Sequence, residues 1–491
     1  MNNPLTGLFK DYRPLPGRYD EMFLENGYPQ LAFRQLLELL DKNTLEDFQH
    51  YRHLADNIFR NNGTTFLVYK HEKGTEEIFP FDLIPRIICA QDWQKLEKGL
   101  LQRVHALELF LHDIYGEQRI LKDNIIPREL IESSAGYNPR MRHITPPGGI
   151  YINISGIDLL KTNEGEYCVL EDNLRTPSGV SYVLENRLTM KRVFPAIFKK
   201  SHIRTIKEYP LRFKDALASL STVDNPIVVI LTPGVNNSAF FEHSYLARKM
   251  GCYLVQGSDL FVHQEKVYVK TTEGAKRVDV IYRRVDDEYI DPSFSNNNSV
   301  LGVPDLVKAY FAGNVILANG LGNGVADDKA IYSFVPEMIR YYLTEEPLLA
   351  QVPTYLGYRE KDKNIILQNL DKFVVKMVDG SGGYGMLFGP QATQKERTEF
   401  AEKIKANPRH YIAQEVVELS TCPTWDLQKL APKRVDFRPY IVSGQYRWVL
   451  PGGLTRVALE ENSYIVNSSQ GGGSKDTWVL NEEDNYAKEG I

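Results

Sequence analysis

"KFVVKMVDGSGGYGMLFGP", residues 372–390, restricts the fold more than any other stretch. Val374, Val375, Lys376, Met377 and Val378 read as a strand, with Lys376 in mid-strand among apolar neighbours. A lysine taken out of water needs an anion beside it. Four residues on, Gly380-Ser381-Gly382-Gly383-Tyr384-Gly385 makes a loop with little side-chain obstruction, and its backbone N–H groups can point at phosphate oxygens. The segment reads either as a phosphate-binding strand and loop or as a flexible hairpin with a solvated lysine. It is not a Walker loop, because no Gly-Lys-Ser/Thr follows, and it lacks the dinucleotide fingerprint.

Three other stretches carry polar residues where a strand would be apolar. "YIAQEVVEL" interrupts its run with Gln414 and Glu415, followed by Val416 and Val417. "RVDFRPYIVSG" puts Asp436, Arg438 and Tyr440 on one face, because strand side chains alternate. Arg438 is then either a rigid fork for phosphate or half of a surface ion pair. "CVLEDNLRTPSG" places Glu171 and Asn173 on one face and Asp172 on the other. If the preceding hairpin turns at Glu164-Gly165, Asp158 lies opposite Glu171. Asp158, Glu171 and Asn173 then form an all-oxygen set suited to Mg²⁺, unless the segment is simply a turn held by its Asn and Asp side chains.

At 491 residues the chain exceeds one ordinary core, so two or three domains are expected. Hydrophobic residues at 43% and charged residues at 25% are those of a soluble globular protein. Lys+Arg 58 against Asp+Glu 63 gives a net charge of −5, which argues against a nucleic-acid footprint or a polybasic membrane patch. Cys89, Cys168, Cys252 and Cys422 are far apart, as isolated thiols in a reducing compartment are. With no signal layout and no membrane-length apolar run, a cytoplasmic location is expected.

Helical spacing dominates up to residue 125, apart from a hairpin around Lys73-Gly74 followed by an expected exposed loop at "FPFDLIPRII". Strand patterns begin near residue 150. "NPIVVILTPGVNNSAFFEHSYLARKMGCYLVQGSDL" reads as a βαβ unit. "YRRVDDEY" reads as an exposed charged tip, Arg283 to Asp287, either self-paired or able to hold a carboxylate; the same pair of readings applies to Arg456 and Lys475.

Together, the lysine–glycine strand, the Gln-Glu-Val strand, the Asp-x-Arg strand and the Glu-x-Asn strand ending in Pro-Ser-Gly resemble the ATP-grasp fold. Glu-x-Asn is the last of these in most of that family; here it precedes Lys376 by about two hundred residues. That order resembles the circularly permuted ATP-grasp proteins, the group containing glutathione synthetase and glutathionylspermidine synthase. "VLEDNLRTPSGVSYVLENR", "LTPGVNNSAFFEHSYLA", "GVADDKAIY" and "KMVDGSGGYGMLFGP" resemble one bacterial branch over nearly the whole chain.

The resemblance implies an α/β (α+β) fold: a circularly permuted ATP-grasp with an inserted pre-ATP-grasp-like βαβ domain and a helical N-terminal region. Its expected parts are a mainly helical region over 1–125, a permuted segment with the metal-binding strands over 126–221, a pre-ATP-grasp-like substrate domain over 222–345, and the nucleotide-binding segment over 346–491. It implies ATP and Mg²⁺. Lys376, the Ser381, Gly382, Gly383, Tyr384, Gly385 loop, and Gln414, Glu415 and Val417 would hold the nucleotide; Asp158, Glu171 and Asn173 would hold the metal. The glutathionylspermidine enzyme has an arginine two residues before the aspartate matching Asp158, where this chain has Gly156. Its role would pass to Arg175, Arg438 or Arg456. That enzyme's amidase domain has no counterpart here. The implied activity is ADP-forming ligation of a carboxylate to an amine through an acyl phosphate. A kinase on the same fold, or a nucleotide-binding scaffold acting with partner proteins, are the other readings.

Overall fold

The computed structural model describes residues 5–30, 33–70, 73–200, 202–295, 298–380, 385–426, 429–459, 464, 466 and 472–481. It is an α/β protein built on one ten-stranded sheet, with smaller sheets flanking it. The first strand of the large sheet, β1 (Phe81–Ile88), is buried along its whole length. The exposed loop expected at "FPFDLIPRII" is therefore a core strand. Its charges looked solvent-bound in sequence, but each is neutralised inside: Asp82 by Lys475, and Arg86 by Glu21. Paired this way, they avoid the penalty of an isolated buried charge.

The long helix α1 (Ala90–Tyr115) follows. Its Leu96, Leu100, Leu107, Phe110 and Leu111 lie in one core with Ile157, Leu159 and Val169 of the large sheet. Each such side chain contributes about 1.5–3 kcal/mol on burial. Next come β2 (Ile154–Lys161) and β3 (Tyr167–Asn173), antiparallel, with Asp158 opposite Glu171 as the hairpin reading expected. The register slips just after that pair, between Asp158 and Leu159.

Helix α2 (Val180–Val193) leads towards a parallel four-stranded sheet. This contains β4 (Val228–Leu231), followed by helix α3 (Phe240–Met250), β5 (Tyr253–Val255), β6 (Val280–Arg283) and β7 (Ile316–Ala318). β4, α3 and β5 are the βαβ unit read from the sequence. A short helix α4 (Lys329–Tyr332), capped by the Asp328 side chain, then returns the chain towards the large sheet.

An antiparallel sheet comes next, from β8 (Thr354–Leu356), β9 (Phe373–Met377), β10 (Leu387–Phe388) and β11 (Tyr411–Glu415). Alternation sends Phe373 and Val375 into a small core with Ile366, Leu370 and Ile404, leaving Val374 and Lys376 on the other face. The chain ends in β12 (Lys429–Arg438), β13 (Tyr440–Ser443), β14 (Leu454–Val457) and β15 (Gly473–Val479). β2, β12, β14, β15 and β1 lie side by side, so β15 pairs in parallel with β1. Among the described residues no helix is long and apolar enough to cross a membrane.

Candidate active site

A cleft of about 800 Å³ opens where the ends of β2, β3, β12 and β14 meet the outer face of β9 and β11. Asp158, Glu171, Asn173, Arg175, Lys376, Gln414, Glu415, Val417, Arg438 and Arg456 all line it. Gly385, in a left-handed conformation at φ +67°, stands at the exit of the glycine loop and is not part of the lining. Ser381, Gly382, Gly383 and Tyr384 lie outside the described residues.

Asp158 is fully buried beneath two arginines. Arg438 grips both of its oxygens, through Nε and through Nη2 at 2.8 Å. Arg456 Nη2 donates to Asp158 Oδ2 at 2.7 Å, while its Nε donates to Asp436 at 2.9 and 3.0 Å. Burial alone would raise the Asp158 pKa, but the two guanidiniums override it and hold the carboxyl well below its usual range. Asp436 moves the other way, because burial outweighs its bonds to Arg456. Arg438 Nη1 donates to the Ser178 carbonyl at 3.3 Å. That leaves two of the five guanidinium hydrogens for a ligand.

The arginine that the resemblance expected at position 156 would be crowded there. A Cβ on Gly156 would lie 3.1 Å from Arg438 Cδ and 3.2 Å from Pro177 Cβ. Arg438 covers the spot from the neighbouring strand. Arg456 is tied to two carboxylates. Arg175 lines the cleft but is paired there with Asp327, at 2.8 Å.

On the next strand Glu171 faces the cleft, while Asp172 points back to Arg103 of α1 in a two-bond pair at 2.7 and 2.7 Å. Asn173 makes no side-chain hydrogen bond among the described residues, and its amide nitrogen is buried. Glu171 and Asn173 thus offer two oxygen donors with spare capacity. They fit Mg²⁺, which takes one or two carboxylates and shares the rest of its shell with water and phosphate. Asp158 accepts one hydrogen bond on Oδ1 and two on Oδ2, all from arginine, so one lone-pair position on Oδ1 is left beside Glu171 and Asn173. Among the described residues no three His, Cys, Asp or Glu side chains form a complete metal shell.

Lys376 donates to Gln414 Oε1 at 2.8 Å. Gln414 lies two residues past Ile412, the cross-strand partner of Lys376, and so on the same face. Burial lowers the Lys376 pKa, and Glu171 counters it. Gln414 Nε2 donates to Thr354 Oγ1 at 3.1 Å, fixing the amide. Leu160, Leu170, Val374, Phe388, Val417 and Leu419 supply apolar wall beside it. Glu415 is at the rim, accepting from the Tyr355 hydroxyl at 2.9 Å.

Sequence reasoning passed over Lys329. It sits at the start of α4, 3.6 Å from Glu171 Oε2, and its Nζ donates to the Gly380 carbonyl at 2.5 Å. "GVADDKAIY" carried the capping aspartate and the lysine, but nothing in that stretch shows which way a first-turn lysine points.

The charged tip also differs from its reading. Arg283 and Arg284 are buried, at 1% and 7% exposure. Arg283 is spent on Asp287 at 2.6 Å and on the carbonyls of Asn319 and Val285. Arg284 lines the cleft, donating to the Pro177 carbonyl at 2.8 Å and Ser178 Oγ at 2.5 Å. Lys475 is sealed in the core on Asp82 and the carbonyls of Ile84 and Pro423 and does not line the cleft. Gly179 turns the chain at φ +114°, where a Cβ would lie 2.6 Å from the Tyr440 hydroxyl.

The family described as circularly permuted ATP-grasp type 2 matches residues 85–458. An "Uncharacterized protein" of Synechocystis sp. is 51% identical, over 95% of this chain and 98% of its own length. Another, from Mycobacterium tuberculosis, is 49% identical over 94% of this chain and 84% of its own. A Frankia casuarinae protein bearing the name "Putative glutamate--cysteine ligase 2-2" is 41% identical over 94% of this chain, which spans 54% of that protein. The solved structure of a glutathione synthetase like-effector from Globodera pallida superposes with a TM-score of 0.57, at 10% identity, covering 96% of this chain and 100% of that one. At that identity it speaks for the fold alone.

Proposed function

This chain belongs to the circularly permuted ATP-grasp type 2 family, and we propose that it is an ATP- and Mg²⁺-dependent ligase joining a carboxylate to an amine. The observation that carries the reading is the convergence of Lys376, Lys329, Glu171 and Arg438 on one cleft from four separate segments. The Frankia relative's ligase name supports the same class. In this reading residues 346–491 and 126–221 hold most of the nucleotide, and 222–345 supply Lys329 and the opposite wall.

The apolar wall beside Gln414 takes the adenine, and Glu415 at the rim meets the ribose. Lys376 and Lys329 meet the phosphate oxygens, leaving Gln414 and Gly380 as a nucleotide arrives. Mg²⁺, held by Glu171 and Asn173, would offset phosphate charge when bound. The substrate carboxylate attacks the γ-phosphate of ATP in line, giving an acyl phosphate and ADP. The spare hydrogens of Arg438 stabilise the charge on the transferring group, fixed in place by Asp158 before the reaction begins. The amine, after losing its extra proton to solvent, then displaces phosphate at the acyl carbon; the second proton leaves with the phosphate, and an amide remains.

A metabolite-extract screen for ADP release, followed by mass spectrometry of the condensed product, tests the reading. A ligase needs two co-substrates and yields an amide; a phosphorylated product from one co-substrate would make it a kinase.

A further inference from the structure

Glu242 lies in the first turn of α3, which faces the cleft across the Pro177–Gly179 turn. It is 1% exposed. Its Oε2 is fully used: it accepts from the backbone N–H groups of Gly179 at 2.7 Å and Ser181 at 3.0 Å, and from Ser181 Oγ at 3.0 Å. Its Oε1 is buried and receives no hydrogen bond. Arg284 Nη2 forms an ion pair with it at 3.8 Å, too long for a hydrogen bond, while Nη2 itself is bonded to Ser178 Oγ. A buried carboxylate oxygen left this way costs free energy that a donor from a ligand would recover.

The surroundings favour a cation as that donor. The α3 N-terminus stabilises the ionised carboxylate. His243, the next residue, adds no charge: burial and then Arg284 press its pKa down, its Nε2 accepts from Arg284 at 3.0 Å, and its Nδ1 faces Thr232 Oγ1 at 2.8 Å. The Asp286 carboxylate also lines the cleft, as does Tyr182, whose ring stacks on both Phe79, at 3.9 Å, and Phe241, at 5.4 Å. Glu242 and Asp286 together carry more negative charge than Arg284 offsets, which suits an ammonium group. The position is also adjacent to the chemistry. Gly179, bonded to Glu242, follows Ser178, whose carbonyl accepts from Arg438 at 3.3 Å and from the Tyr440 hydroxyl at 2.8 Å.

We propose that Glu242 Oε1 is the seat for the ammonium group of the amine co-substrate, so that this co-substrate is a primary alkylammonium compound rather than a neutral alcohol or a thiol; the inference rests on the ligase reading for the amine's role. The probe is n-butylammonium, with n-butanol as its neutral counterpart, titrated calorimetrically into the full chain. The expected result is binding of n-butylammonium at least tenfold tighter than n-butanol, and a loss of tenfold or more in Glu242→Gln, which keeps an acceptor for Gly179 and Ser181. Equal affinity for the two probes, or an unchanged affinity in the variant, overturns the seat. A crystal of the wild-type protein soaked in n-butylammonium covers the case of a misfolded variant: nitrogen within hydrogen-bond reach of Oε1 supports the seat, and any other position overturns it. Hydroxamate formation by the wild-type protein from ATP, hydroxylamine and a carboxylate mixture tests the ligase reading separately. Without hydroxamate but with ammonium binding at Glu242, the seat stands and ligation falls.

Discussion

Neighbouring residues on β3 separate function from stability. Glu171→Ala removes a cleft-facing carboxylate, and Lys376→Ala removes the strand lysine. Each is expected to abolish substrate-dependent ADP release while circular dichroism and the melting temperature stay near wild type. Asp172→Ala is expected to do the reverse. It strands the buried Arg103 guanidinium, a loss of about 3–5 kcal/mol in chemical denaturation. Lys376 also sets a pH dependence. Burial lowers its pKa, so the neutral form sets in before the ordinary lysine range as pH rises. ATP affinity should therefore fall on the alkaline side before the ordinary lysine range is reached. Lys376→Met should bind ATP weakly and lack that limb, as titration with ATP across pH would read.

At the scale of elements, β2 and β12 divide one job. Arg438 on β12 fills the space over Gly156 on β2. Gly156→Arg forces two long side chains into that space, and we expect ADP release to drop at least tenfold, while Gly156→Ala falls between it and wild type. The hairpin of β2 and β3 was legible in sequence, and so was the strand before the glycine loop, because both alternate with period two beside glycine turns. β1 was not legible. Its Asp82, Pro85 and Arg86 look like a loop until Lys475 and Glu21 are seen to neutralise the two charges. The lining residues Glu171, Lys376, Gln414 and Arg438 were identifiable as polar intruders in apolar strands. Lys329, Glu242 and Arg284 were not, because a polar side chain near a helix start or strand end is unremarkable until the tertiary fold aims it.

For the whole molecule, a ligand gripped from four segments should tighten the folded state. ATP with Mg²⁺ at a hundredfold excess over its dissociation constant is expected to stabilise the protein by about 2.7 kcal/mol, visible as a raised melting temperature. Lys376→Ala should show little of that rise. The parallel pairing of β1 with β15 has another consequence. Asp82 and Lys475, which meet there, are 393 positions apart. A chain leaving the ribosome must hold the apolar strand Phe81–Ile88 without its partner until the 393 positions that separate Asp82 from Lys475 have been made. Contacts between such distant positions form slowly, and an unpaired strand is open to wrong partners in the meantime. The ten-stranded sheet thus closes long after its strand β1 has been made, and the yield in the cell should depend on chaperones more than the final stability would suggest.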